Sequence, residues 1–173
     1  MDNKIVLVGK IEFEPEDKTK KHEEQSTWKK TALVLLDGDV TDYYSWFLNK
    51  RYNIKLNRPL RRSHVSFIND SIWDLQQNGK RSKNEVNYLW NKTKNKWNGV
   101  EIPIMLDLRP RTNDVHWWLN IPNEYRDRLH SIRAELGLGR PFFGLHMSIG
   151  HVNEKNIEHS KYIHSLIKSG LIN

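Results

Sequence analysis

Two short segments of the chain combine a histidine and a serine at the same spacing. The first is His64-Val65-Ser66 and the second is His146-Met147-Ser148. Both lie in apolar runs, which predict β-strands, and residues two apart in a strand project from the same face. Each segment is therefore expected to present an imidazole beside a hydroxyl. One such pair arises by chance in many chains, but one pair in each half indicates two related lobes.

Two imidazoles that face each other across a cleft suit in-line phosphoryl transfer. One imidazole removes a proton from the attacking hydroxyl or water, and the other, as imidazolium, protonates the departing oxygen. A histidine pKa of about 6.5 permits either role near neutral pH. Hydroxyls and cations would hold the non-bridging oxygens of the phosphate. Because the sequence has no HExxH motif and no carboxylate–histidine cluster at ligand spacing, we expect neither a metal nor a cofactor.

Composition restricts the class of protein. With 173 residues the chain suits one compact domain, or two small lobes that share a core. A net charge of +7 favours an anionic partner such as a nucleotide, RNA or a phosphorylated metabolite, although a basic surface that only keeps the protein soluble explains the charge equally well. The absence of cysteine excludes disulfides and thiolate catalysis. No long apolar run and no secretory leader is recognised, so we expect a cytoplasmic protein without membrane association or an obligate protein partner.

The hydrophobic pattern predicts the same order of elements in both halves. The first half is read as a strand over 4–13, a polar loop over 14–27, a strand over 31–36, a helix capped by Thr41, and a histidine strand over 63–68. A short helical piece over 71–77 follows, and then a helix that begins with the capping box Ser82/Glu85 and ends at Gly99. The second half is read as strands over 101–108 and 115–121, a helix capped by Asn123, a histidine strand over 142–149 and a helix over 154–168. No flexible linker separates the halves. We therefore predict one α+β domain over 1–173, with lobes over roughly 31–98 and 99–168, each an antiparallel sheet with helices outside, around a central cleft.

The paired segments and the order of elements resemble the two-histidine (2H) phosphoesterase superfamily, whose members carry duplicated His-x-Thr or His-x-Ser steps on central strands of a bilobal α+β fold. Apolar residues precede and follow each step here, as in the family pattern, while both hydroxyls are serine where threonine is commoner. The resemblance implies that His64 and His146 are the acid–base pair and that Ser66 and Ser148 bind phosphate. It does not assign which histidine is the base.

Members of this superfamily act on phosphodiesters, among them 2′,3′-cyclic phosphate ends of RNA, 2′,5′-linked oligoadenylates and cyclic oligonucleotide signals. The small size and the composition look most like phage-encoded members that degrade the cyclic messengers of bacterial CBASS immunity. The resemblance thus implies a metal-independent phosphodiesterase acting on cyclic oligonucleotides, in the host cytoplasm if the protein is phage-encoded. A 2′,3′-cyclic phosphodiesterase is the nearest alternative, and a non-catalytic nucleotide- or RNA-binding module is an alternative of another class.

Six more residues are candidate substrate contacts. The two arginines precede the two segments and suit phosphate binding, the aromatics suit base stacking, and His151 follows the second segment by five residues: Trp28, Tyr43, Arg62, Trp117, Arg140 and His151. Trp117 and Trp118 must face opposite sides of their strand, so one belongs to the core and one to the cleft; Trp117 is taken as the candidate. His116 is expected to have a structural or surface role. Whether residues 14 to 30 close over a ligand stays open.

Overall fold

The computed structural model describes residues 3–16 and 27–172. Within these residues, eight strands form one curled antiparallel sheet, accompanied by five helices. The strands are β1 (Lys4–Phe13), β2 (Lys29–Leu35), β3 (Leu56–Asn57), β4 (His64–Ser71), β5 (Glu101–Asp107), β6 (Arg111–Thr112), β7 (His116–Asn120) and β8 (His146–Val152). The helices are α1 (Asp39–Tyr52), α2 (Ile72–Leu75), α3 (Lys83–Trp97), α4 (Asn123–Glu135) and α5 (Ile157–Lys168). The predicted α+β class with an antiparallel sheet is confirmed.

The two histidine strands, β4 and β8, are neighbours at the centre of the sheet. The strand order is β5-β1-β2-β4-β8-β7-β6, with β3 paired to β8. Strand β5 follows the predicted lobe boundary in sequence but pairs with β1, on the side of the sheet that contains β4. Strand β3 precedes that boundary but pairs with β8. The two halves of the chain therefore exchange strands, and a boundary at residues 98/99 does not divide the sheet.

One face of the sheet forms the hydrophobic core. Val34 and Val65 on one side of the centre, and Leu119 and Met147 on the other, are all 0% exposed. Helix α1, which follows β2, contacts β8, whereas α4, which follows β7, contacts β4. Because each helix crosses to the other side of the centre, the core spans both halves. The opposite face of β4 and β8 is left to form a cleft.

Several helix and strand ends differ from those predicted. The Ser82/Glu85 capping box is confirmed. Helix α1, in contrast, begins after Gly38, and Thr41 is not its cap; instead the Thr41 amide donates to the hydroxyl of the buried Ser63, at 2.9 Å. Helix α4 begins at Asn123 with no side-chain cap. Strand β8 begins at His146 rather than near residue 142, and α5 is preceded by a 3-10 turn.

The polar stretch predicted as a loop over 14–27 lies mostly outside the described residues, as does most of the possible lid over 14–30. Glu14 is described, and its carboxylate accepts hydrogen bonds from Lys30, Lys94 and the Trp90 indole at 3.1, 2.7 and 3.0 Å. Burial alone would raise the pKa of Glu14, but the two lysines outweigh it and lower that pKa to about 2. The end of β1 is thus fixed to α3.

In the part of the chain that the structure describes, no helix is long and apolar enough to cross a membrane.

Candidate active site

The two His-x-Ser segments meet at the junction of β4 and β8. Val65 pairs with Met147 in an antiparallel register, and both side chains point into the core. Alternation along the strands places the residues before and after them on the other face. Continuing the register by one residue sets His64 opposite Ser148 and Ser66 opposite His146. His64 and His146 are then diagonal neighbours, which lie about 7–8 Å apart, with their Cβ atoms somewhat closer.

Both segments are followed by the same irregularity in the sheet. The ladder between β2 and β4 skips Phe67, and the ladder between β7 and β8 skips Ile149. Each skipped residue comes directly after the serine of its segment. A bulge shifts the side-chain alternation by one residue, so Asn69 and His151, which regular alternation would direct toward the core, lie on the cleft face instead. The bulge thus falls at the same position after each of the two segments.

Each histidine makes the same hydrogen bond to the chain just before it. His64 Nδ1 lies 2.6 Å from the carbonyl oxygen of Arg62, and His146 Nδ1 lies 2.6 Å from that of Gly144. A carbonyl oxygen only accepts, so Nδ1 carries the proton in both rings. Nε2 is therefore the atom of each imidazole that can exchange a proton with a ligand.

The environment of His146 favours its neutral form. Burial lowers the pKa of His146, and the charges of His116 and Arg126 lower it further, while the hydrogen bond to Gly144 raises it. The net direction is downward. At neutral pH His146 is thus an uncharged imidazole with Nε2 available to accept a proton.

A cavity of about 220 Å³ opens between these side chains and the loop before β4. It is lined by Thr31, Pro59, Leu60, Arg61, His64, Ser66, Asn69 and Ser148. Arg61 is only 8% exposed, so its cationic side chain is held against the protein at the cavity wall. The hydroxyls of Ser66 and Ser148 form no hydrogen bond within the described residues and can each donate to a bound oxyanion.

The β7 side of the cleft carries Trp118 rather than Trp117. Trp117 is 0% exposed and donates from its indole to Ser160 of α5 at 3.0 Å, so it is a core residue and the predicted cleft role for it is wrong. Trp118 pairs with Ser148, and its ring centre lies 5.8 Å from that of His146. The register shift in this ladder falls between Trp117 and Trp118, and the pairing with β8 sets Trp118 opposite Ser148 on the cleft face and Trp117 opposite Gly150 in the core.

Asn120 is a polar neighbour of His146 that the sequence did not single out. It pairs with His146 across β7 and β8. The Trp118 indole donates to Asn120 Oδ1 at 2.9 Å, which fixes the orientation of the side-chain amide. The amide NH₂ of Asn120 is thereby left as a donor group on the cleft face.

The remaining predicted contacts lie outside the cavity wall. Trp28, Tyr43, Arg62 and Arg140 are all exposed, and none of them lines the cavity. Arg62 contributes through its backbone carbonyl, while its side chain packs beside Gly38. His151 is exposed at the end of β8, on the cleft face, with Nε2 3.4 Å from the Asn57 amide nitrogen.

A longer repeat in the sequence marks the loops that lead into both segments. Arg58-Pro59 and Arg140-Pro141 stand at the same distance before His64 and His146, and each is followed by an exposed apolar residue, Leu60 or Phe142. Pro59 and Leu60 line the cavity. This spacing is the sequence signal that identifies the first loop as part of the site.

Neither a protein-family model, nor a curated protein, nor a solved structure matches this chain. Over residues 3–16 and 27–172, no three histidine, aspartate or glutamate side chains converge as metal ligands would.

Proposed function

We propose that this protein is a two-histidine phosphodiesterase of the 2H type, which cleaves nucleotide phosphodiester bonds by acid–base catalysis and acts on cyclic oligonucleotide signals. The observation that supports the proposal is that both segments have the same histidine hydrogen bond and the same bulge after the serine. Each histidine has its Nδ1 held by a carbonyl two residues earlier, and each serine is followed by a bulge. Such a repeated setting is what a duplicated fold with a shared active site requires.

In the proposed reaction His146 acts as the general base. Its lowered pKa keeps it neutral at physiological pH, so Nε2 can accept the proton of the attacking oxygen. For a 3′,5′-linked substrate the attacking group is the adjacent ribose 2′-hydroxyl. The new bond joins the 2′-oxygen to phosphorus, and the bond from phosphorus to the 5′-oxygen breaks.

His64 then supplies the proton that the departing 5′-oxygen needs. It does so from Nε2 as the imidazolium, and becomes neutral, while His146 becomes protonated. The products are a 2′,3′-cyclic phosphate and a free 5′-hydroxyl, so atoms and charge balance. Water attacking the cyclic phosphate, with the two histidines in exchanged roles, opens it in a second step.

The other polar groups of the cleft stabilise the charge that builds up on the phosphate. The hydroxyls of Ser66 and Ser148 lie on the same face as the histidines, and Arg61 brings a guanidinium to the cavity wall. Fixed donors of this kind act on the transition state without reorganising, and the loss of one commonly costs about 10²–10³-fold in rate.

The test is turnover in excess EDTA with cyclic dinucleotides, cyclic trinucleotides and 2′,3′-cyclic mononucleotides. We expect turnover that His64→Ala and His146→Ala each reduce by about 10²–10⁴-fold or more, because each removes one proton-transfer group. His159→Ala serves as the matched control, since this histidine is exposed and hydrogen-bonds to the Tyr52 carbonyl outside the cleft. Absence of turnover, with nucleotide binding retained in both variants, would instead support a non-catalytic binding module.

A further inference from the structure

Two cross-strand pairs extend the cleft beyond the central histidines and serines. Thr31 pairs with Asn69 between β2 and β4, and His116 pairs with His151 between β7 and β8. Each pair lies two residues beyond the residue that the bulge skips, which is Phe67 in β4 and Ile149 in β8. Since β4 and β8 are antiparallel, the two pairs lie toward opposite ends of the cleft. At roughly 3.3 Å per residue, each lies about 7–10 Å from its serine along the strand, which is the scale of one nucleoside.

The first pair offers hydrogen bonds. Thr31 and Asn69 both line the 220 Å³ cavity together with Arg61. Within the described residues, neither the Thr31 hydroxyl nor the Asn69 side-chain amide is engaged by a protein hydrogen bond. Amide and hydroxyl side chains are the groups that proteins use to read the edges of nucleobases. This end of the cleft therefore suits a base held by its edge.

The second pair offers ring surfaces. The imidazoles of His116 and His151 have centres 6.0 Å apart at 45°, and both side chains are exposed. Trp118 is the next cleft-facing residue of β7 after His116, and its indole is half-buried. Flat rings on a basic surface bind nucleobases by stacking. The sequence predicts a structural or surface role for His116, and its exposed ring on the cleft face is a surface position that can also stack on a base.

We propose that the cleft has two unlike nucleoside subsites, one on each side of the scissile phosphate: one base is read by Thr31 and Asn69, and the other stacks on His116 and His151. This inference rests on the proposed function and narrows it. The substrate is then an internal phosphodiester with a nucleoside on both sides, as in a cyclic dinucleotide. A 2′,3′-cyclic mononucleotide fills only one of the two subsites.

The experiment compares two double variants, Thr31→Val/Asn69→Ala and His116→Ala/His151→Ala, with Asn84→Ala on the exposed side of α3 as the control. Calorimetry on the His64→Ala protein measures the Kd for cyclic diadenylate and for 2′,3′-cyclic adenosine monophosphate without turnover. Each double variant is expected to weaken binding of the cyclic dinucleotide by about tenfold, since each loses one base contact. Only one of the two double variants is expected to weaken binding of the mononucleotide. The control Asn84→Ala is expected to weaken binding of neither ligand.

Two results would overturn the inference. One is that cyclic diadenylate binds both double variants as tightly as the His64→Ala parent; the other is that only one double variant affects the dinucleotide. Turnover by the unmutated protein separates this inference from the proposed function. If His64→Ala and His146→Ala abolish turnover while the subsite variants bind normally, the phosphodiesterase proposal is supported and the two-subsite inference is refuted. If no substrate is turned over but both subsite variants weaken dinucleotide binding, the two-subsite inference is supported and the phosphodiesterase proposal is refuted.

Discussion

Replacement of Gly150 by alanine tests the packing that holds the cleft together. Gly150 lies in β8 next to the bulge, and β3 passes directly over it. A Cβ at this position would lie 2.4 Å from the carbonyl oxygen of Asn57 and 3.0 Å from the Cβ of Leu56. The first distance is about 1 Å inside ordinary van der Waals contact, and the obstructing atom is backbone. Strand β3 must therefore move away from β8.

The size of the effect follows from that displacement. Overpacking of this kind costs about 1–3 kcal/mol, and the two residue pairs that join β3 to β8 loosen with it. A loss of about 2 kcal/mol lowers the Tm of a chain of this size by roughly 4–8 °C. Catalysis should fall as well, because the chain runs from β3 through Pro59 and Arg61, both on the cavity wall, to His64.

The assay is thermal unfolding followed by circular dichroism, together with kcat/KM on the nucleotide that the turnover test identifies as the best substrate. Gly139→Ala is the matched control, since a Cβ there meets no atom within 4 Å. We expect Gly139→Ala to shift the Tm by less than about 2 °C, as surface substitutions usually do. If Gly150→Ala is no more destabilising than Gly139→Ala, β3 does not pack against β8 as described and the reasoning is refuted.

Two further predictions concern the supports of the site. Arg133 of α4 is 2% exposed, makes a bidentate ion pair with Asp70 at 2.7 and 2.9 Å, and donates to the carbonyl of the bulged Phe67. Arg133→Met leaves the Asp70 carboxylate without its ion-pair partner and should lower the free energy of unfolding by about 3–5 kcal/mol in urea denaturation, and a loss below about 1 kcal/mol would contradict this. In a pH profile of kcat/KM, the lowered pKa of His146 places the acidic limb below the usual histidine value of about 6.5, because the base loses activity only once it is protonated. Arg126→Gln removes a charge that lowers this pKa and should move the acidic limb to higher pH, whereas an unchanged limb would argue against His146 as the base.

Strong local signals in the sequence predicted most of the regular elements. The strand over 4–13 and the capping box at Ser82 were predicted because alternation and caps depend only on residues close in sequence. The ends that depend on distant residues were predicted wrongly. The Thr41 amide is bound by the Ser63 hydroxyl, 22 residues away, and no local pattern shows such a contact.

The sequence by itself determined that two histidines and two serines recur at one spacing on β-strands, because side-chain alternation in a strand is a local property. It also determined that Trp117 and Trp118 lie on opposite faces of their strand, but it did not determine which of them faces the cleft. Only the tertiary structure decided that β4 and β8 are neighbours, since strand order depends on how the whole chain packs its core. The bulges after Ser66 and Ser148 were likewise decided there, because a skipped residue exists only relative to a partner strand. Those bulges are what place Asn69 and His151 on the cleft face.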